Sequence, residues 1–162
     1  MKTLFLSVAL FVPALGLAHG TETHDGKPKS PVVAEQQPFG RMGEAAQVKR
    51  VITVGMSDRM RYEPALIRVK VGETVRIVAQ NHGAVLHEIV LGTKAALEEH
   101  AALMKKFPGM EHDEPHMAHV AAGQRGEIVW QFNRPGEFFY ACLIPGHFEA
   151  GMVGRIVVEG AS

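Results

Sequence analysis

The run Cys142-Leu-Ile-Pro-Gly-His147-Phe-Glu-Ala-Gly-Met152 sits between an aromatic strand-like segment, Glu137-Phe-Phe-Tyr-Ala141, and an apolar one spanning 153–158. It carries the chain's only cysteine, then a histidine and a methionine, each after a gap of four residues. Singly, each has an ordinary reading: a lone cysteine as a small buried hydrophobe, a methionine as core filler, a histidine after Pro-Gly as a loop residue. Together, on one loop between two strands, they form a soft donor set. A thiolate, two imidazoles and a weak axial thioether suit both Cu(I) and Cu(II), and Cys142, His147 and Met152 supply three of those four groups.

The fourth donor has to come from a strand packed beside this loop. The stretch Asn81-His82-Gly83-Ala84-Val85-Leu86-His87-Glu88-Ile89-Val90-Leu91 offers His82 and His87. His87 opens an apolar strand run, whereas His82 lies in an Asn-His-Gly turn, where side chains are usually solvated. The sequence therefore favours His87, Cys142, His147 and Met152 as ligands of a single copper ion.

These residues resemble the cupredoxin family of plastocyanin, azurin, auracyanin and rusticyanin, over about residues 48–159. The four-residue gaps on both sides of His147 are more similar to auracyanin and rusticyanin than to plastocyanin. Within the family, the chain looks like the small periplasmic cupredoxins associated with bacterial copper tolerance, often called CopI. The resemblance implies an all-β, Greek-key β-sandwich and one type 1 copper per chain. It also implies a transient redox partner docking through an apolar patch of Leu86, Pro145 and Phe148 around His147. Two positions depart from the family, which often has Asn after the first His and Ser or Thr after the Cys. Here they are Glu88 and Leu143, so the usual tether of the ligand loop is expected to be missing, with a changed copper geometry or potential.

The strand pattern agrees with such a fold. Short strands separated by turn signals are expected at 48–56, 66–71, 74–81, 87–91, 126–132, 136–141 and 153–159. Thr93 reads as an N-cap, and Leu97, Ala101 and Met104 recur at helical spacing, so one helical insertion is expected before Pro108. Residues 93–123 thus form a helix and a His/Met-rich loop inserted in the cupredoxin domain, 48–162.

Residues 1–18 read as a secretory signal: Lys2, an apolar middle over 4–12, and the small-residue end Gly16-Leu17-Ala18. That stretch is too short and too broken by Pro13 and Gly16 to span a membrane. Export to the periplasm suits the unpaired thiol, which in an oxidising compartment must be buried or metal-bound. Residues 19–47, rich in glycine, proline and charge, are expected to be flexible, with Phe39 and Met42 apolar enough to dock their end on the barrel. Seventeen basic residues against 17 acidic ones give no footprint for nucleic acid, and a monomer is expected.

A second metal region is suggested by Met110, His112, His116, Met117 and His119, with His100 and Met104 just upstream. The alternative is a polar surface loop whose imidazoles are merely solvated. His19, at the expected mature N-terminus, and nearby His24 offer a further Cu(II) chelate. The function expected is one-electron transfer, copper tolerance, or copper sequestration or delivery through the additional His/Met site, and not enzymatic turnover. Copper oxidases and nitrite reductases place a His beside the type 1 Cys to reach a second copper centre, and here that neighbour is Leu143.

Overall fold

Alternating apolar and polar residues become strands with one face turned inward, and two such sheets close over each other. The computed structural model describes residues 35–108, 110 and 112–160. The expected signal segment at 1–18, most of the expected tail, and His19 and His24 lie outside the described residues.

The first sheet contains β1 (Gln36–Gln37), β2 (Gly40–Met42), β3 (Arg50–Ser57), β4 (Arg61–Glu63), β6 (Glu73–Asn81) and β9 (Arg125–Phe132), in the order β1-β2-β9-β6-β3-β4. The second contains β5 (Leu66–Lys70), β7 (His87–Gly92), β8 (Met117–Val120), β10 (Gly136–Ala141) and β11 (Val153–Glu159), in the order β5-β11-β10-β7-β8. Pairing is antiparallel except for β3 with β6 and β5 with β11. Between the sheets lie Val54, Ile77, Ile89, Leu91, Ile128, Phe132, Tyr140 and Ile156, all buried. Tyr62 and Tyr140 meet edge to face, ring centroids 4.9 Å apart. The all-β sandwich with one helix is as the sequence implied.

The helix α1 (Lys94–Lys106) starts where Thr93 Oγ1 accepts from Ala96 N–H at 3.2 Å, and it ends before Pro108. Its Leu97, Ala101 and Met104 pack on Val90, Met117, Ala141 and Leu143. The helix therefore covers the outer face of β7 and β10, which explains why β7 is buried at every residue instead of at alternate ones. No helix among the described residues is long and apolar enough to cross a membrane.

Three parts of the structure differ from expectation. The sandwich begins near residue 36, not 48: Phe39 docks as expected, stacking on Trp130 at 5.2 Å, but its segment is paired as strand, with β2 against β9 and Gly43 N–H donating to Val129 O. Gly40, at φ +130°, makes this approach possible, because a Cβ there would lie 2.3 Å from Gln131 O. The second difference is β8, a paired strand inside the segment read as a His/Met loop. The third is the short β4, absent from the expected strands, whose Tyr62 points into the core.

Candidate metal centre

The register of the second sheet brings the start of β7 beside the end of β10. Ala141 pairs with Val90 and Tyr140 with Leu91, so His87 and Cys142 arrive at the same end of the sandwich. Beyond Cys142 the chain leaves the sheet in tight turns. His147 N–H donates to Ile144 O at 2.9 Å, Gly151 N–H to Phe148 O at 2.9 Å, and Met152 N–H to His147 O at 3.1 Å. Gly146 and Gly151 take φ of +91° and +88°, conformations that L side chains disfavour. Cys142 N–H then donates to Met152 O at 3.1 Å, closing the loop on itself. The loop is also pinned from outside, by Arg61 Nη1 donating to Ala150 O and by Lys105 of α1 against Glu149.

His87, Cys142 and His147 each present one donor atom, all within 4.8 Å of one another, in an arrangement able to hold a metal ion. Cys142 Sγ lies 3.3 Å from His147 Nδ1, and the two imidazole rings are 5.0 Å apart at 55°. His87 is fully buried, and its Nδ1 has no hydrogen-bond partner. A buried ring nitrogen is normally satisfied, so this orphan in a residue grouped with a thiol and a second imidazole is an observation in favour of a bound cation. Met152 is fully buried in the same core cluster as Cys142, and its backbone pairs with both Cys142 and His147. His82, the histidine set aside from the sequence, is exposed and lies against Gly55.

Burial disfavours charge on Cys142 and His147 in the copper-free site. Burial pushes the Cys142 thiol up to about 12, against the opposing pull of hydrogen bonds from the Glu88 and Ile144 backbone N–H groups. Burial, and next the neighbouring His87, lowers His147 from its usual value. A metal cation bound there would replace the proton of the buried thiol.

The expected loss of the loop tether is corrected by the structure. Glu88 is buried, and its Oε1 accepts from Leu143 N–H at 2.7 Å, joining the two positions that departed from the family pattern. Its other oxygen lies 3.0 Å from His119 Nε2, across the β7–β8 pair. Burial raises the Glu88 carboxyl, while Leu143 N–H and then the charge of His119 work the other way. Sequence reasoning also missed Asp58, whose Oδ1 is 3.1 Å from His87 Nε2.

The second suggested metal region is divided. His116 packs its ring against Phe39 and Trp130, at 5.5 and 5.9 Å, and Met117 is buried beneath α1. Met110, His112 and His119 instead line one cavity of about 600 Å³ together with Met104, Glu88 and His147. His112 has its ring 4.8 Å from that of His100, and its Nδ1 is buried without a partner.

Residues 48–159 match the family of copper binding proteins described as plastocyanin/azurin. The chain is 53% identical over 145 residues to the copper-resistant cuproprotein CopI of Rubrivivax gelatinosus, covering 89% of this chain and 82% of that one. Its counterpart in Pseudomonas aeruginosa is 35% identical, with 78% of this chain and 85% of that one covered. In fold, the chain resembles the dithionite-reduced auracyanin of Roseiflexus castenholzii, with a TM-score of 0.60, 19% identity, and coverage of 69% of this chain and 98% of that one.

Proposed function

The chain belongs to the plastocyanin/azurin family of copper-binding proteins, and on that premise we propose that it is a mononuclear type 1 copper protein of the periplasm, serving copper tolerance by one-electron exchange. Its ligands are His87, Cys142, His147 and Met152. The observation that carries this reading is the meeting of buried His87 and Cys142 with half-buried His147, with the orphaned His87 Nδ1 turned toward no protein acceptor. Copper bound there supplies a one-electron couple. The chain's own part is to hold the donors still: the loop is cross-braced by its own backbone bonds and by Glu88, so the ligands keep their places when the charge changes.

The tolerance role is supported by the name of the relatives, copper-resistant cuproproteins, and the compartment by the signal-like residues 1–18. Around half-buried His147, the exposed Val85, Leu86 and Pro145 make an apolar surface suited to a brief contact with a redox partner. Leu143 beside Cys142 offers no imidazole to lead electrons to a second centre, which favours transfer over catalysis.

Optical and EPR spectra of copper-loaded protein with a metal count test the assignment. An intense Cys-to-Cu(II) charge-transfer band, absent in Cys142→Ser, is expected; a wild-type protein without it sinks the reading. A strain lacking the protein is expected to be copper-sensitive while respiring normally. A second reading, sequestration or delivery through an additional site, is favoured by the cavity that Met110, His112 and His119 share with His147. It requires more than one copper per chain, with the excess lost in His112→Gln and Met110→Leu.

A further inference from the structure

His87 is unusual in what holds it from behind. Its ring is fully buried, yet its outer nitrogen, Nε2, meets the carboxylate of Asp58, a side chain that is 42% exposed. Asp58 lies just past the end of β3, in a turn closed by Met60 N–H donating to Ser57 O, with Met60 at φ +59°. The carboxylate is held on more than one side: Oδ2 accepts from Ala84 N–H at 2.8 Å, and Val85 N–H approaches Oδ1 at 3.5 Å. It is thus fixed against the segment that leads into His87.

Gly83 makes room for this. A Cβ at that position would lie 1.9 Å from Asp58 Oδ1 and 2.6 Å from its Cγ, so any side chain there would displace the carboxylate. Gly83 does not need a left-handed backbone, since its φ is outside the positive range. The requirement is the close approach of Asp58. Asn81 fastens the same segment from inside, its Nδ2 donating to Val85 O and Val120 O.

We propose that Asp58 is a positioning residue for the copper centre: it accepts the Nε2–H of His87, fixes that tautomer, and so leaves the unpartnered Nδ1 lone pair as the metal-binding atom. This rests on the assignment of His87 as a ligand. Two independent features converge on it. One nitrogen of the ring is engaged by a fixed carboxylate, and the other is buried with no partner. A carboxylate accepting from the far side of a ligating imidazole makes the near nitrogen a stronger donor, which favours the more highly charged oxidation state of the metal. Asp58 therefore lowers the reduction potential relative to the same site without it.

The competing explanation is that Asp58 only caps the 82–86 turn, through Ala84 and Val85. Asp58→Asn separates the two, because an amide oxygen still accepts a backbone N–H while the charge on the imidazole side is gone. In the copper-loaded protein, Asp58→Asn is expected to weaken Cu(II) relative to Cu(I) by about tenfold, a rise of about 59 mV in potential, with the thermal midpoint of the copper-free protein unchanged. Gly83→Ala, which displaces the carboxylate without altering it, is expected to move the potential in the same direction. A potential unchanged in Asp58→Asn, or a loss of stability with no change in potential, overturns the proposal.

Long-range nitrogen–proton NMR on copper-free wild type needs no variant to fold. His87 is expected as the Nε2–H tautomer, and an Nδ1–H tautomer would refute Asp58's role outright. Absence of the Cys-to-copper band in wild type would instead indict the ligand assignment, so the two failures are distinguishable.

Discussion

On the proposed ligand set, copper binding has to remove a proton from Cys142, and the structure gives the size of that demand. Burial places the thiol at about 12, so at pH 8 it stands four units below its midpoint. At 1.36 kcal/mol per unit, holding it as thiolate costs about 5 kcal/mol, which the metal–sulfur bond must exceed. His147, lowered from 6.5 by burial and by His87, is already neutral at pH 8 and has no proton to give. Binding is thus expected to release about one proton per copper, and apparent affinity to rise about tenfold per pH unit from pH 7 to 9. Calorimetric titration of reduced, copper-free protein in two buffers of different ionisation enthalpy measures the release. Cys142→Ser should release almost none. A wild-type value near zero at pH 8 would mean that the thiol is already ionised or is not a ligand, and either outcome refutes the reasoning.

Glu88→Ala leaves the buried Leu143 N–H without its acceptor and is expected to cost about 1–3 kcal/mol in urea unfolding of the copper-free protein, whereas Glu88→Gln keeps an acceptor and should cost less. Phe39→Ala removes the ring stacked on Trp130 and is expected to cost about 3–5 kcal/mol; an unchanged midpoint would return residues 36–47 to the status of a loose tail. His100, His116 and His147 are all lowered from 6.5, chiefly by burial, so the unfolded chain takes up protons first. Copper-free stability is therefore expected to fall as pH drops through 6.5 and below, and to be independent of these groups above it. Glu88, raised by burial, binds its proton more readily in the folded state and opposes that fall, so the decline in thermal midpoint from pH 7.5 to 5 should be steeper in Glu88→Gln.

What could be read from the sequence was what local pattern encodes. Short apolar or alternating runs between turn signals marked β3, β5, β6, β7, β9, β10 and β11 to within a residue or two, and Thr93 with Leu97, Ala101 and Met104 marked α1. The residues missed draw their structure from distant partners. Gln36 to Met42 is too short and polar to signal strands, and its stability lies in β9 and Trp130 some 90 positions away. Met117 to Val120 shows only four residues of strand, and its His and Met content suggested metal chemistry where the structure puts core packing and the His119 partner of Glu88. Asp58 had no signal at all, since a single acid in a turn is ordinary until its oxygen is seen against His87.

Glu88 shows why an apparent loss in sequence can be a replacement in structure. The β7–β10 register, with Phe139 opposite Gly92 and Ala141 opposite Val90, places Leu143 opposite Glu88 when extended past the last paired residues. The ladder stops short of that position, and the polar groups there are reassigned. The Glu88 carbonyl accepts from Tyr62 Oη at 2.6 Å, and the Glu88 side chain takes the Leu143 N–H that a strand partner would have satisfied. The Leu143 N–H and the Glu88 carbonyl thus keep partners without a ladder, and the backbone after Cys142 is released from strand geometry. That release lets the loop turn through Gly146 and Gly151 and bring His147 back onto the sulfur, while the carboxylate holds the first peptide of the loop in place. A main-chain pair at Glu88 and Leu143 would have carried the strand straight on and left the cysteine without its second imidazole.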